Sequence, residues 1–130
     1  MTWQVYVDKY LMIQLDGRKM TSAAIIGHDG AVLAQSANFP KFKVKEIVGI
    51  MEAFEEGKLA KKGLRIGGTK YEVIQGEQRD LISGEKGDGG IVVKKTNQTL
   101  LVGIYNMPMT SMLCRAIVEN VAPYLIEQGF

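Results

Sequence analysis

Residues 81–105 read LISGEKGDGGIVVKKTNQTLLVGIY. Three short apolar runs stand in it, Leu81-Ile82, Ile91-Val92-Val93 and Leu100-Leu101-Val102, separated by GEKGDGG and KKTNQT. β-Branched residues fill the runs, while glycine, aspartate and asparagine punctuate them. Such a pattern predicts strands joined by tight turns, an antiparallel meander.

The same reading extends outward. LRIGG (64–68) and KYEVIQG (70–76) add strand-like segments on the N-terminal side. In TSAAIIGHDGAVLAQS (21–36), Ala23–Ile26 and Ala31–Ala34 flank His28-Asp29-Gly30, a hairpin signal. Phe39-Pro40 breaks the alternation. Val44, Ile47, Val48, Met51 and Phe54 then recur at helical spacing, with Gly57 as a stop.

Helices are predicted at both ends. Val7 and Leu11 are four residues apart and can face a core, Trp3, Tyr6 and Tyr10 make a neighbouring stripe, and Thr2 suits an N-cap. This helix should stop before Asp16-Gly17. Pro108 ends the last strand, and MTSMLCRAIVENVAPYLIEQGF (109–130) forms the closing helix with Leu113, Ile117, Val121, Tyr124 and Leu125 near one side. Pro123 lacks an N–H and is expected to kink or interrupt it. The expected fold is therefore α+β, one domain over residues 1–130. A central antiparallel sheet of about six to seven strands carries the N- and C-terminal helices together on one face, and a shorter helix or helices on the other.

Composition fits a chain with a sizeable core, with 46% hydrophobic and 23% charged residues among 130. Cys114 is the lone cysteine, so no disulfide can form within the chain. Gln4, Asp8 and Lys9 interrupt any apolar signal at the start. An intracellular, reducing compartment is expected. No apolar run approaches the roughly 18 residues a membrane helix needs. A formal charge of +2 is too small to argue for a nucleic-acid partner.

No catalytic constellation stands out, and neither a metal nor a cofactor is expected. His28 is the only histidine and sits in a predicted turn, where it reads as surface. Cys114 lies in an amphipathic segment, where packing explains it. GEKGDGG and RIGGTK lack a phosphate-loop spacing and read as hairpin turns, and Asn97-Gln98-Thr99 reads as a turn too. Two basic groups, Lys58, Lys61, Lys62, Arg65 and Lys70, and then Arg79, Lys86, Lys94 and Lys95, fit either a solvated surface or a site for an acidic protein or anionic lipid. Trp3 and Tyr6 at one end and Tyr124 and Phe130 at the other would meet if the terminal helices pair. They fit either a helix–helix seam or a shallow groove for a polyproline helix, whose rings stack on aromatic faces and whose carbonyls accept hydrogen bonds.

Over essentially its whole length the chain resembles the profilin family, most of all its plant-type and amoeba-type members. Trp3-Gln4-x-Tyr6-Val7-Asp8 resembles the family's opening, and AAIIGHDG, FKVKEIVGIM, GLRIGGTKYEVIQGE, KGDGGIVVKKT, LLVGIYN and YLIEQGF follow in the family's order. The resemblance implies a monomeric, cytoplasmic, cytoskeletal protein that is not an enzyme. It implies binding to monomeric actin, to proline-rich proteins such as formins and to phosphoinositide lipids, with regulation of actin polymerisation as the function. It places a proline site on Trp3, Tyr6, Tyr124 and Phe130, with Leu33 where the family usually has tryptophan. It places actin contacts on Lys70, Lys86, Arg115 and Glu119, and a lipid site on Arg79, Lys86, Lys94 and Lys95. Leu33 leaves open a profilin fold with weakened or lost proline binding. A phosphoinositide-binding regulator that does not act on actin is the other alternative.

Overall fold

A computed structural model describes residues 2–56, 63–74 and 80–130. The apolar runs at 81–105 become three of seven strands in a single antiparallel sheet. The strands are β1 (Ser22–Gly27), β2 (Val32–Gln35), β3 (Leu64–Ile66), β4 (Thr69–Ile74), β5 (Leu81–Lys86), β6 (Gly89–Lys95) and β7 (Thr99–Tyr105). Their order across the sheet is β2-β1-β7-β6-β5-β4-β3. Only the step from β1 to β7 joins strands distant in sequence, so nearly all pairing is between chain neighbours.

Helices cover both faces, which explains why β1, β6 and β7 read as unbroken apolar runs rather than as alternation. On one face Ala23, Ile25, Val92 and Leu101 meet the two terminal helices through Val7, Leu11, Cys114, Val118, Val121 and Leu125. On the other, Ala24, Ile26, Ile91, Val93, Leu100 and Val102 meet Ile47, Ile50 and Phe54 of α2 (Val44–Glu56). The expected α+β arrangement is the one observed. The stop expected at Gly57 lies outside the described residues.

Glu46 fixes α2 to the sheet. Its Oε1 accepts from the Lys43 amide at 2.8 Å, the N3-to-N-cap half of a capping box, and from Gly67 at 3.2 Å. Its Oε2 accepts from Gly68 at 3.0 Å. Burial acts to raise the pKa of this carboxyl, but the three amides and the Lys43 charge outweigh it, and the net direction is downward. Gly67 and Gly68 take φ of 61° and 79°, the left-handed backbone that the two-residue link from β3 to β4 requires. RIGGTK is thus a hairpin turn.

The N-terminal helix, α1, departs from regular geometry. An α turn at Trp3–Val5 runs into π-type turns at Tyr6–Leu11, sealed by the Met12 amide donating to the Val7 carbonyl at 2.9 Å. Val7 and Leu11 still lie fully buried. A tight turn at Asp16-Gly17 follows, with Leu15 and Arg18 exchanging two backbone hydrogen bonds of 2.8 and 2.9 Å.

Pro123 does not interrupt the closing helix. The C-terminal helix, α3, runs unbroken from Ser111 to Glu127 with Pro123 inside it. The ring stands on the exposed side, while Val121, Ala122 and Leu125 around it are buried in the core. Packing on the inner side outweighs one missing backbone hydrogen bond on the outer side.

Replacing Pro123 with alanine restores the amide that the Glu119 carbonyl lacks. Interior proline costs about 3 kcal/mol relative to alanine, offset by roughly 1 kcal/mol from the stiffer unfolded chain. Urea unfolding should show Pro123→Ala more stable by about 1–2 kcal/mol at an unchanged denaturant slope.

Candidate functional site

The residues QGF at 128–130 organise one end of the molecule. Gly129 takes φ of 95°, its amide donates to the Ile126 carbonyl at 3.0 Å, and the Phe130 amide donates to the Leu125 carbonyl at 2.9 Å. This is a Schellman cap, and it turns the chain back across the end of α3. The Phe130 carbonyl then accepts from Thr96 Oγ1 at 2.8 Å and from the Gln98 amide in the β6–β7 turn. Asn97-Gln98-Thr99 is therefore a turn, as expected, and one that grips the chain's last residue.

With Phe130 fixed, a row of aromatic rings follows. The Phe130 ring meets Trp3 edge-on, with centroids 4.7 Å apart and planes 67° apart. Trp3 lies 6.5 Å from Tyr6, and Tyr6 lies 6.0 Å from Tyr10. α1 is pinned beneath them. Thr2 Oγ1 accepts from the Val5 amide at 3.4 Å, and Gln4 Nε2 donates to the Gln35 carbonyl of β2 at 3.0 Å. Gln128 Nε2 donates to the Tyr6 hydroxyl at 2.7 Å and to the Tyr124 carbonyl at 3.2 Å. The Tyr6 oxygen is thereby occupied as an acceptor, which leaves its hydrogen as a donor.

The structure brings together Trp3, Tyr6 and Phe130 of the expected proline residues. Tyr124 is 58% exposed and joins the row only through Gln128. Leu33 is exposed at a bulge, since Ile25 pairs with Ala34 and Ile26 with Val32. Two groups beside the row were not singled out from the sequence. Tyr10 belonged to the visible stripe with Trp3 and Tyr6, and Gln128 could have been found from the Gln-Gly pair that caps a helix.

The basic residues separate into different environments. Lys70 and Lys86 are exposed, on the neighbouring strands β4 and β5. Arg115 is half-buried on α3, and the Lys95 ammonium lies 6.0 Å from the Phe54 ring centroid, at the limit of a cation–π contact. Arg79, like Lys58, Lys61 and Lys62, lies outside the described residues.

Lys94 differs from expectation. It is buried, and its Nζ sits 2.8 Å from Asp80 Oδ2 and 2.9 Å from Glu119 Oε1. The Asp80 contact is a hydrogen bond, whereas the Glu119 contact is an ion pair without a well-aligned hydrogen bond. Burial acts to depress the Lys94 pKa, but the two carboxylates outweigh it and raise it overall. An ammonium held this way does not face a membrane. One oxygen of Glu119 is likewise committed to Lys94, although its side chain stays 38% exposed.

Cys114 is fully buried, and burial pushes its thiol up to about 12, far from a nucleophile's range. His28 is half-buried rather than plain surface, with Nε2 3.1 Å from the Thr99 carbonyl. Among the described residues no three histidine, cysteine, aspartate or glutamate side chains gather as a metal site, and no helix is long and apolar enough to cross a membrane.

A family model described as Profilin matches residues 1–130. The crystal structure of Acanthamoeba castellanii profilin II is 34% identical and superimposes with a TM-score of 0.85, covering 99% of this chain and 100% of that one. The fold alone extends to mouse profilin IIa in complex with a double repeat from the FH1 domain of mDia1, at 22% identity, TM-score 0.75 and full coverage of both chains. It extends also to LokiProfilin2 in its complex with rabbit actin, at 22% identity and TM-score 0.66, covering 83% of this chain and 85% of that one.

The Lys94 environment has a testable pH signature. A lysine whose pKa is raised on folding stabilises the protein below its unfolded pKa, and the benefit disappears as pH rises through the folded value. Lys94→Met leaves Asp80 and Glu119 facing each other. Near neutral pH it should unfold about 1–2 kcal/mol more easily, less than for a fully buried pair because Asp80 is half exposed. Denaturation from about pH 9 to 12 should show that gap closing.

Proposed function

The chain belongs to the profilin family, and on that premise we propose that it binds monomeric actin, regulates its polymerisation and holds proline-rich ligands at a second site. The observation that carries the reading is the ordered row of rings, Phe130–Trp3–Tyr6. A polyproline helix has no internal hydrogen bonds, so its carbonyls are available to donors. The Trp3 indole N–H and the Tyr6 hydroxyl supply such donors beside flat faces for the proline rings. That mouse profilin IIa is solved with an FH1 double repeat supports a proline-rich partner such as a formin.

Actin binds elsewhere on the molecule in this reading. Lys70 and Lys86 project from adjacent strands, and Arg115 and the remaining oxygen of Glu119 extend the surface along α3. Their charge steers an acidic partner. The solved complex of LokiProfilin2 with rabbit actin supports the assignment. Holding a proline-rich elongation factor and an actin monomer at once makes delivery intramolecular, at a high effective concentration, and needs no catalysis by the chain itself. The work belongs to the cytoplasm, where actin is. Phosphoinositides would meet Lys86, Lys95 and Arg79, with Lys94 withdrawn from that set. Because Lys86 serves both surfaces, lipid and actin compete.

Two sites predict separable losses. Lys70→Glu with Lys86→Glu puts like charges against actin, costing several kcal/mol at close contact. This variant should stop delaying spontaneous actin polymerisation while Trp3 fluorescence still reports binding of a proline decamer. Trp3→Ala should do the reverse, its proline binding read by calorimetry. A double variant that sequesters actin normally would show the surface to be misplaced. Leu33 lacks the ring and N–H of a tryptophan, a loss of about 2 kcal/mol for an aromatic anchor. Leu33→Trp should therefore tighten proline binding by roughly 30-fold in the same titration.

A further inference from the structure

Tyr10 stands outside the site as described so far, yet it continues the same row. Its ring centroid is 6.0 Å from Tyr6, tilted by 44°, and 42% of the residue is exposed. Tyr6 itself is only 7% exposed, so beyond Trp3 the accessible aromatic surface passes to Tyr10. A regular α-helix does not run through this segment. Tyr10 nevertheless sits beside Tyr6 while Leu11 stays buried.

We infer that Tyr10 is a further ligand-binding residue, a ring that lengthens the groove toward the Asp16-Gly17 turn and makes this chain prefer longer proline stretches. The inference rests on the proline-site reading above. A polyproline helix rises about 3.1 Å per residue, so the 6.0 Å step from Tyr6 to Tyr10 spans about two residues of ligand. The Trp3–Tyr6 step of 6.5 Å has the same size. Tyr10 also carries a hydroxyl, a donor for a ligand carbonyl that a phenyl ring lacks. The added slot offsets part of what Leu33 fails to supply.

The test is the length dependence of binding. Proline oligomers of increasing length, from four to fourteen residues, are titrated into wild type, Tyr10→Ala and Tyr10→Phe, with Trp3 emission as the signal. Longer oligomers offer more binding registers to every variant alike, so the comparison is between proteins at each length. Wild-type affinity should go on rising for about two residues beyond the length at which Tyr10→Ala levels off. The shortest oligomers that bind should show less than a twofold difference, and the longest about tenfold. Tyr10→Phe should recover most of that gain. An equal loss at every length would mean that Tyr10 only braces Tyr6, and would overturn the inference. Identical affinities in wild type and Tyr10→Ala would overturn it too, while leaving the proline site in place. Failure of wild type to bind any oligomer overturns the proline-site reading and this inference together. Delay of actin polymerisation by each variant confirms that it is folded.

Discussion

The carbonyl of Phe130 is the point on which the candidate site depends. It is held by the Thr96 hydroxyl and the Gln98 amide, and the Phe130 amide is held by Leu125. These bonds fix the last side chain on the sheet's end turn and on α3 at once. The Phe130 ring supports Trp3, and Gln128, one turn below Tyr124, orients the Tyr6 hydroxyl. Without the left-handed glycine at 129 the chain could not turn there. A row of rings held by three elements, α1, α3 and the β6–β7 turn, has little conformational freedom left to lose. If the row binds a polyproline helix as proposed, that lowers the entropy cost of doing so.

The two sides of the sheet divide the labour. One buried layer joins the terminal helices to β1, β6 and β7 and carries the aromatic row at its end. The other joins α2 to the opposite face of the same strands. Lys94 belongs to the first layer, and its pairing with Asp80 and Glu119 ties the start of β5 to β6 and α3. Lys70 and Lys86 sit on the far strands β4 and β5. The rings and those lysines lie on different elements of one sheet-based scaffold.

Most of the fold was legible because its signals are local. The runs at 81–105 and the Gly-Gly turn at 67–68 specify hairpins between chain neighbours. Val7 with Leu11, and Ile47 with Phe54, mark faces that turn inward, whereas Val44 and Val48 of the same expected stripe stay exposed and Ile50, outside it, is buried. What escaped depended on contacts remote in sequence or on competing forces. Pro123 read as a breaker because helix propensity counts one lost bond and not the core packing of Val121, Ala122 and Leu125. Lys94 read as a free cation because Asp80 and Glu119 lie 14 and 25 positions from it along the chain, too far for pattern reading. Tyr10 was visible in the stripe with Trp3 and Tyr6, and its ring does lie against Tyr6.

The most direct measurement is the NMR signal of the Trp3 indole N–H during titration with a proline decamer. Trp3 is the only tryptophan, so its resonance is assigned at once. If the aromatic row is an open groove for a proline-rich ligand, the resonance shifts saturably, and the amides of Phe130 and Gln128 shift with it. If instead the rings only seal the terminal helices together, the indole resonance stays in place at saturating decamer while the protein still binds actin.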